Sequence, residues 1–210
     1  MKVLDKIKAC GIVPVVIIED ADKAKALGRS VLYGGLNCIE ITFRTKAAAK
    51  AIEIIKKEYP EMTVGAGTVL TIEQVKIAAK AGAEFIVSPG SNPKVIQYCQ
   101  DNNICVIPGV VTPSEIEKNL DMGITTMKFF PAEAAGGLKM IRAMSAPYGA
   151  VSFMPTGGIN VDNVREYLKY NKIIACGGSW IVKSDLLEKN NYEEIAKLSR
   201  EAADIVKQVR

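Results

Sequence analysis

The chain has 210 residues, 49% hydrophobic and 24% charged, a composition that supports one buried core and argues for a single domain over residues 1–210. A net charge of +4 suits an anionic small molecule but is too small to argue for nucleic acid, and no run reaches the roughly 18 apolar residues of a membrane span. There is no histidine, which excludes Ser-His-Asp chemistry and a histidine-ligated metal and leaves acid–base work to carboxylate, Lys, Tyr, Cys or water.

The first residues, Met1-Lys2-Val3-Leu4-Asp5-Lys6-Ile7-Lys8, read as a short amphipathic helix over 2–10. They carry an acid and lack the apolar core and small-residue cleavage site of a secretory signal, so a cytoplasmic protein is expected. Eight short β-branched runs follow, at 12–18, 37–42, 62–67, 85–88, 104–107, 125–130, 151–156 and 173–176. Between them lie helical patterns. One covers 45–57; another covers 71–81, opening on a capping Thr71 and closing at Gly82. Continuously apolar strands separated by helices predict a parallel sheet covered by helices. Eight such units after a short N-terminal helix predict a closed (β/α)8 TIM barrel. The alternative, an open doubly wound sheet, lacks its Gly-x-Gly-x-x-Gly signature, because Glu19-Asp20-Ala21 follows the first run. Cys10, Cys38, Cys99, Cys105 and Cys176 are odd in number and make no Cys-x-x-Cys pair. They read as reduced, buried, small hydrophobes, with neither zinc nor disulfides implied.

In a barrel the chemistry lies at the C-terminal ends of the strands. The second run ends Cys38-Ile39-Glu40-Ile41-Thr42-Phe43-Arg44. Alternation puts Glu40 opposite Ile39 and Ile41, hence inward if the isoleucines meet helices. An inward glutamate serves either as a general acid/base or as a structural partner of Arg44 or Lys128. Arg44 has the fork for a substrate carboxylate, and is equally at home on the surface.

The third run ends in a hydroxyl at Thr68 and the fourth leads into Ser88-Pro89-Gly90; both patterns are common in plain turns. The sixth run places Thr126, Lys128 and Phe130 on one face and Met127 and Phe129 on the other. Desolvation disfavours an ammonium, and a neutral amine is the nucleophile that forms a Schiff base with a ketone. The competing reading packs only the Lys128 stem and sends its ammonium to water or a salt bridge. Gly157-Gly158 and Gly177-Gly178 follow the seventh and eighth runs, where barrels offer backbone amides at helix N-termini to a phosphate; alternatively they are tight turns. Lys139 sits in a helical pattern and reads as surface.

These motifs resemble the 2-keto-3-deoxy-6-phosphogluconate (KDPG) and 4-hydroxy-2-oxoglutarate (KHG) aldolases, a class I family on a (β/α)8 barrel, over nearly the whole chain. The likeness is carried by Gly11-Ile12-Val13-Pro14-Val15, Glu40-Ile41-Thr42-Phe43-Arg44-Thr45, Gly65-Ala66-Gly67-Thr68-Val69, Ser88-Pro89-Gly90, Lys128-Phe129-Phe130-Pro131-Ala132-Glu133, Pro155-Thr156-Gly157-Gly158-Ile159 and Gly177-Gly178-Ser179-Trp180. The resemblance implies Lys128 as the Schiff-base lysine and Glu40 as the general acid/base. It implies that Arg44, Thr68 and Thr156 hold the pyruvate carboxylate and hydroxyl side, and that Pro89 and Phe130 wall the pyruvyl carbons. It implies a phosphate cradle from Gly157, Gly158, Gly178 and Ser179. No metal or other cofactor is implied, nor any membrane or nucleic-acid partner, and the assembly implied is a homotrimer.

Other readings remain at this level. A sugar-phosphate epimerase of the barrel type leans on histidine and metal. A deoxyribose-phosphate type aldolase, a phosphogalactonate aldolase and a non-catalytic phosphosugar-binding barrel are the remaining alternatives.

Overall fold

The computed structural model describes residues 2–210; Met1, where the amphipathic N-terminal reading begins, lies outside the described residues. Nine strands occur among the described residues, and every pairing between them is parallel. β1 (Ile12–Val16), β2 (Cys38–Thr42), β3 (Thr63–Gly67), β4 (Phe85–Val87) and β5 (Cys105–Ile107) lie side by side. β6 (Gly109–Val110), β7 (Thr126–Phe129) and β8 (Ser152–Pro155) form a three-stranded sheet, and β9 (Cys176–Gly178) completes the six-stranded one beside β1. The architecture is α/β, its larger parallel sheet curved as a half-barrel.

The helices are α1 (Val3–Cys10), α2 (Ala24–Tyr33), α3 (Ala48–Glu58), α4 (Ile72–Lys80), α5 (Pro93–Asp101), α6 (Pro113–Asp121), α7 (Gly137–Ser145), α8 (Val164–Leu168), α9 (Ser184–Glu188) and α10 (Tyr192–Val209). Side chains fix several of their starts. Thr71 accepts the Gln74 amide, Asn92 the Lys94 amide, and Thr112 closes a capping box with Glu115. α1, with Ile7 fully buried, packs against β1, β2 and β3. α10 lies on α2 through a stripe of Ile195, Ser199, Ala202, Ala203 and Val206. A fully buried isoleucine of this kind contributes roughly 1.5–3 kcal/mol.

Three elements differ from the sequence pattern. The fifth run, expected at 104–107, resumes beyond Pro108 as β6, which makes the ninth strand. Proline lacks the N–H a ladder needs, so the chain leaves one sheet and joins the other at that residue. The last strand runs Cys176–Gly178 instead of 173–176; Ile173 makes only an isolated bridge to Phe153. The ladder forms where the side chains vanish, because any Cβ at Gly177 would fall 2.3 Å from Thr156 Oγ1. Finally, α3 begins at Ala48, not at residue 45. The Thr45 hydroxyl donates to the Ile18 carbonyl at 2.5 Å and holds the intervening turn against the chain beyond β1.

Candidate active site

β2 is buried along its whole length, and Glu40 stands in register between Val15 of β1 and Gly65 of β3. β7 is likewise buried, with Lys128 between Gly109 of β6 and Met154 of β8. The two residues belong to different sheets, yet Lys128 Nζ lies 3.5 Å from Glu40 Oε1. Both side chains therefore turn into the space the sheets enclose. Glu40 is 0% exposed and Lys128 5%. The carboxylate depends on Gly67 at the end of β3 for room, because a Cβ there would fall 2.0 Å from Glu40 Oε1. Phe130, half-buried, places its ring centroid 5.2 Å from Lys128 Nζ, close enough for a cation–π contact.

Neither Glu40 oxygen has a hydrogen-bond partner, and Thr156 Oγ1 and Trp180 Nε1 are buried in the same condition. Buried polar groups almost always find partners, so four orphans at one end of the fold mark a place built for groups from outside the chain. Thr156 is 6% exposed and sits beside Gly177. The Trp180 ring lies over Gly178, where a Cβ would meet it at 2.3 Å. Gly67 and Trp180 belong to motifs that carry the resemblance, but neither was given a role from the sequence. A glycine inside a strand pattern is nonetheless the signal for a close approach, and Gly67 is such a glycine.

The remaining expected residues fall at the same strand ends. Arg44 is exposed in the turn after β2 and donates from Nε to Thr68 Oγ1 at 3.4 Å. Thr68, half-buried, takes the left-handed backbone conformation with φ 56°. Pro89 is half-buried after β4, and its carbonyl packs on Gly109, where a Cβ would fall 2.1 Å away. Ser179 is exposed and follows β9 directly. The direct side-chain contacts join Lys128 to Glu40, Lys128 to Phe130 and Arg44 to Thr68. Lys139 is exposed on α7.

The glycine pairs differ from their expected setting. Neither stands at a helix N-terminus: α8 begins at Val164, α9 at Ser184, and Gly177 and Gly178 lie within β9. Gly157 and Gly158 form a left-handed turn, with φ 101° and 80°. The Gly157 carbonyl accepts the Glu133 amide at 3.0 Å, and the Gly158 carbonyl accepts Asn163 Nδ2 at 3.1 Å. In a planar trans peptide the N–H points opposite to the C=O. The Gly158 and Ile159 amides are therefore turned away from those partners, and they donate to no acceptor among the described residues. Successive free amides of this kind form an anion-binding concavity without a helix.

The cysteines lie apart from this chemistry. Burial pushes the thiols of Cys10, Cys99 and Cys105 up to about 11, that of Cys176 up to about 12, and that of Cys38 well above its ordinary range. All five are unpaired. No three His, Cys, Asp or Glu side chains converge to ligate a metal among the described residues. A cleft of about 630 Å³ lies between α2 and α10, lined by Arg29, Tyr33, Tyr192 and Arg200. Neither Lys128 nor Glu40 lines it; the convergence of orphaned polar groups, not volume, locates the site.

Comparison with known proteins matches residues 3–198 to a family model described as KDPG and KHG aldolase. A 2-dehydro-3-deoxy-phosphogluconate aldolase of Haemophilus influenzae is 48% identical over 206 residues, covering 98% of this chain and 97% of that protein. The KHG/KDPG aldolase of Escherichia coli is 42% identical over 193 residues, 92% of this chain and 91% of its own. Among solved structures, the KDPG aldolase of Legionella pneumophila, with pyruvate captured at low pH as a covalent carbinolamine intermediate, superposes with a TM-score of 0.92. It is 37% identical and covers 96% of this chain and 98% of its own.

Proposed function

Because this chain belongs to the KDPG and KHG aldolase family, we propose that Lys128 is the amine, and Glu40 the acid/base, of its class I aldol cleavage. The chain is a carbon–carbon lyase that cleaves 2-keto-3-deoxy-6-phosphogluconate to pyruvate and glyceraldehyde 3-phosphate. The observation that carries the residue assignment is the buried pair itself. Lys128 Nζ and Glu40 Oε1 are 3.5 Å apart, and the carboxylate has no other partner.

The amine of Lys128 attacks the substrate ketone to give a carbinolamine, and loss of water gives an iminium. Glu40 is positioned to carry protons to and from that centre. The iminium withdraws electrons from the neighbouring carbon–carbon bond. Glu40 takes the proton of the hydroxyl two carbons from the iminium carbon, the bond breaks, and the aldehyde leaves. The enamine left on Lys128 is reprotonated, and hydrolysis releases pyruvate. Phe130 and Pro89 wall the pyruvyl carbons. Arg44, Thr68 and Thr156 take its carboxylate and hydroxyl side, Thr156 with a hydroxyl that has no protein partner. The Gly157–Gly158 turn receives the phosphate through the Gly158 and Ile159 amides, together with the backbone of Gly178 and Ser179.

The larger architecture is read as one closed eight-stranded barrel and one domain. Support comes from Pro108, which continues β5 into β6, and from the parallel bridges Phe153–Ile173 and Thr156–Gly177 between β8 and the β9 side. The homotrimer reading predicts a solution mass three times the 22.7 kDa of one chain. No helix among the described residues is long and apolar enough to cross a membrane; a cytoplasmic setting is proposed on the five unpaired thiols. Borohydride reduction in the presence of pyruvate, followed by peptide mapping, tests the central assignment. The expected adduct is on Lys128, and an adduct on Lys139 instead, or on no lysine, overturns it.

A further inference from the structure

The turn that would meet the phosphate is made of two adjacent glycines, the most permissive backbone available. Left alone, such a turn samples many conformations, and an anion would have to order it on binding. The fold supplies the order from two sides. Asn163, immediately before α8, donates from Nδ2 to the Gly158 carbonyl at 3.1 Å, while its Oδ1 accepts the Asn160 amide at 2.9 Å. On the opposite side the Glu133 amide holds the Gly157 carbonyl, and the Glu133 side chain lies against Gly158, where a Cβ would meet its Cβ at 2.6 Å and its Cγ, which alanine lacks, at 2.7 Å. That side chain is itself tied down, because the phenol of Tyr167, on α8 and 2% exposed, donates to Glu133 Oε1. Burial, followed by this bond, raises the Tyr167 phenol above its ordinary range and keeps it a donor.

A carboxylate next to an anion site is electrostatically adverse, so Glu133 is placed there for what it holds, not for its charge. We propose that Glu133, braced by Tyr167, and Asn163 are positioning residues that set the Gly158 and Ile159 amides for the substrate phosphate. They touch the turn and not the reacting carbons. Their contribution is confined to phosphorylated substrate and is independent of the imine chemistry. The inference rests on the phosphate-binding reading above.

The test compares wild type, Glu133→Ala, Glu133→Gln and Asn163→Asp on two substrates, 2-keto-3-deoxy-6-phosphogluconate and the same six-carbon acid without its phosphate. Asn163→Asp keeps the acceptor for Asn160, removes the donor to Gly158 and adds a negative charge, so Asn163→Ala, which removes the donor without adding charge, is measured beside it and should show the same rise in KM. Glu133→Ala and Asn163→Asp should raise KM for the phosphorylated acid about 10-fold, with kcat within about 3-fold and less than about a 2-fold change for the unphosphorylated acid. Glu133→Gln still accepts from Tyr167 and sheds the adverse charge, so its KM for the phosphorylated acid should equal the wild-type value or fall below it. Equal changes on both substrates, no change on either, or a Gln variant as impaired as the Ala variant overturns the proposal. Pyruvate trapping by the wild-type protein separates the two levels. If Lys128 is labelled and the KM split is missing, only the positioning role falls; if Lys128 is not labelled, the aldolase assignment falls first.

Discussion

The two ends of the parallel sheet each carry a glutamate facing lysine, and they treat it in opposite ways. At the N-terminal end, Glu84 stands just before β4 and each of its oxygens has a lysine, Lys56 at 2.7 Å and Lys6 at 2.9 Å. Lys56 also donates to the carbonyls of Pro60 and Met62, which occupies all three of its hydrogens. At the C-terminal end, Glu40 and Lys128 share one 3.5 Å contact, and both Glu40 oxygens lack a hydrogen bond. The first arrangement is complete and stabilises; the second is more deeply buried and incomplete, so it costs stability and leaves groups free to react. The same residue types have their hydrogen-bonding valences filled at one end and left open at the other.

The largest expected effect breaks the incomplete pair. Lys128→Met should abolish pyruvate trapping and lower turnover by on the order of 10⁴- to 10⁶-fold. Glu40→Gln should slow turnover by about 10²- to 10⁴-fold while borohydride still labels Lys128. Removing both charges at once sharpens the contrast. Lys128→Met with Glu40→Leu should be inactive yet at least as stable as wild type in urea, by up to about 4 kcal/mol. A large loss of stability in that double variant would show the pair to be structural.

At the other end the signs reverse. Glu84→Gln should cost roughly 1–3 kcal/mol in urea unfolding and leave turnover as in wild type. Burial alone would raise the Glu84 carboxyl, but the hydrogen bonds and charges of Lys56 and Lys6 more than offset it and hold it below its ordinary value of 4.5. A folded-state value below the unfolded one stabilises above the unfolded value and stops doing so as pH falls through the folded one. Wild type should therefore lose stability below pH 4.5 more steeply than Glu84→Gln, and parallel curves would remove this role from Glu84. The smallest effect concerns the thiols, raised by burial. Native protein at about pH 8.5 should react slowly with iodoacetamide, and denaturant should release five fast-reacting thiols.

Much of the site was legible because it follows local rules. Parity along residues 38–44 and 125–130 aims Glu40 and Lys128 to one side each, since a strand alternates faces whatever surrounds it. The cap at Thr71 and the alternation of strand and helix follow equally local patterns. The fate of the glycines was less legible. Gly177 and Gly178 read as amides at a helix N-terminus or as a tight turn, but they pair with Val13 and Pro14, and glycine is needed there because Thr156 and Trp180 occupy the space side chains would take. Gly67 matters through a carboxylate one strand away, and the Gly157–Gly158 turn through Glu133 and Asn163.

The sequence by itself determined the α/β class, the order of the elements, the face each strand residue takes, and the absence of histidine that leaves acid–base work to carboxylate, Lys, Tyr, Cys or water. Only the tertiary structure decided that Glu40 and Lys128 meet, that Pro108 divides a strand between two sheets, and that the Gly158 and Ile159 amides, in a turn and not at a helix terminus, donate to no acceptor among the described residues. Periodicity is a property of neighbouring residues. Distance across the interior, and which donor goes without an acceptor, depend on residues tens of positions apart that only the packing of the two sheets brings together.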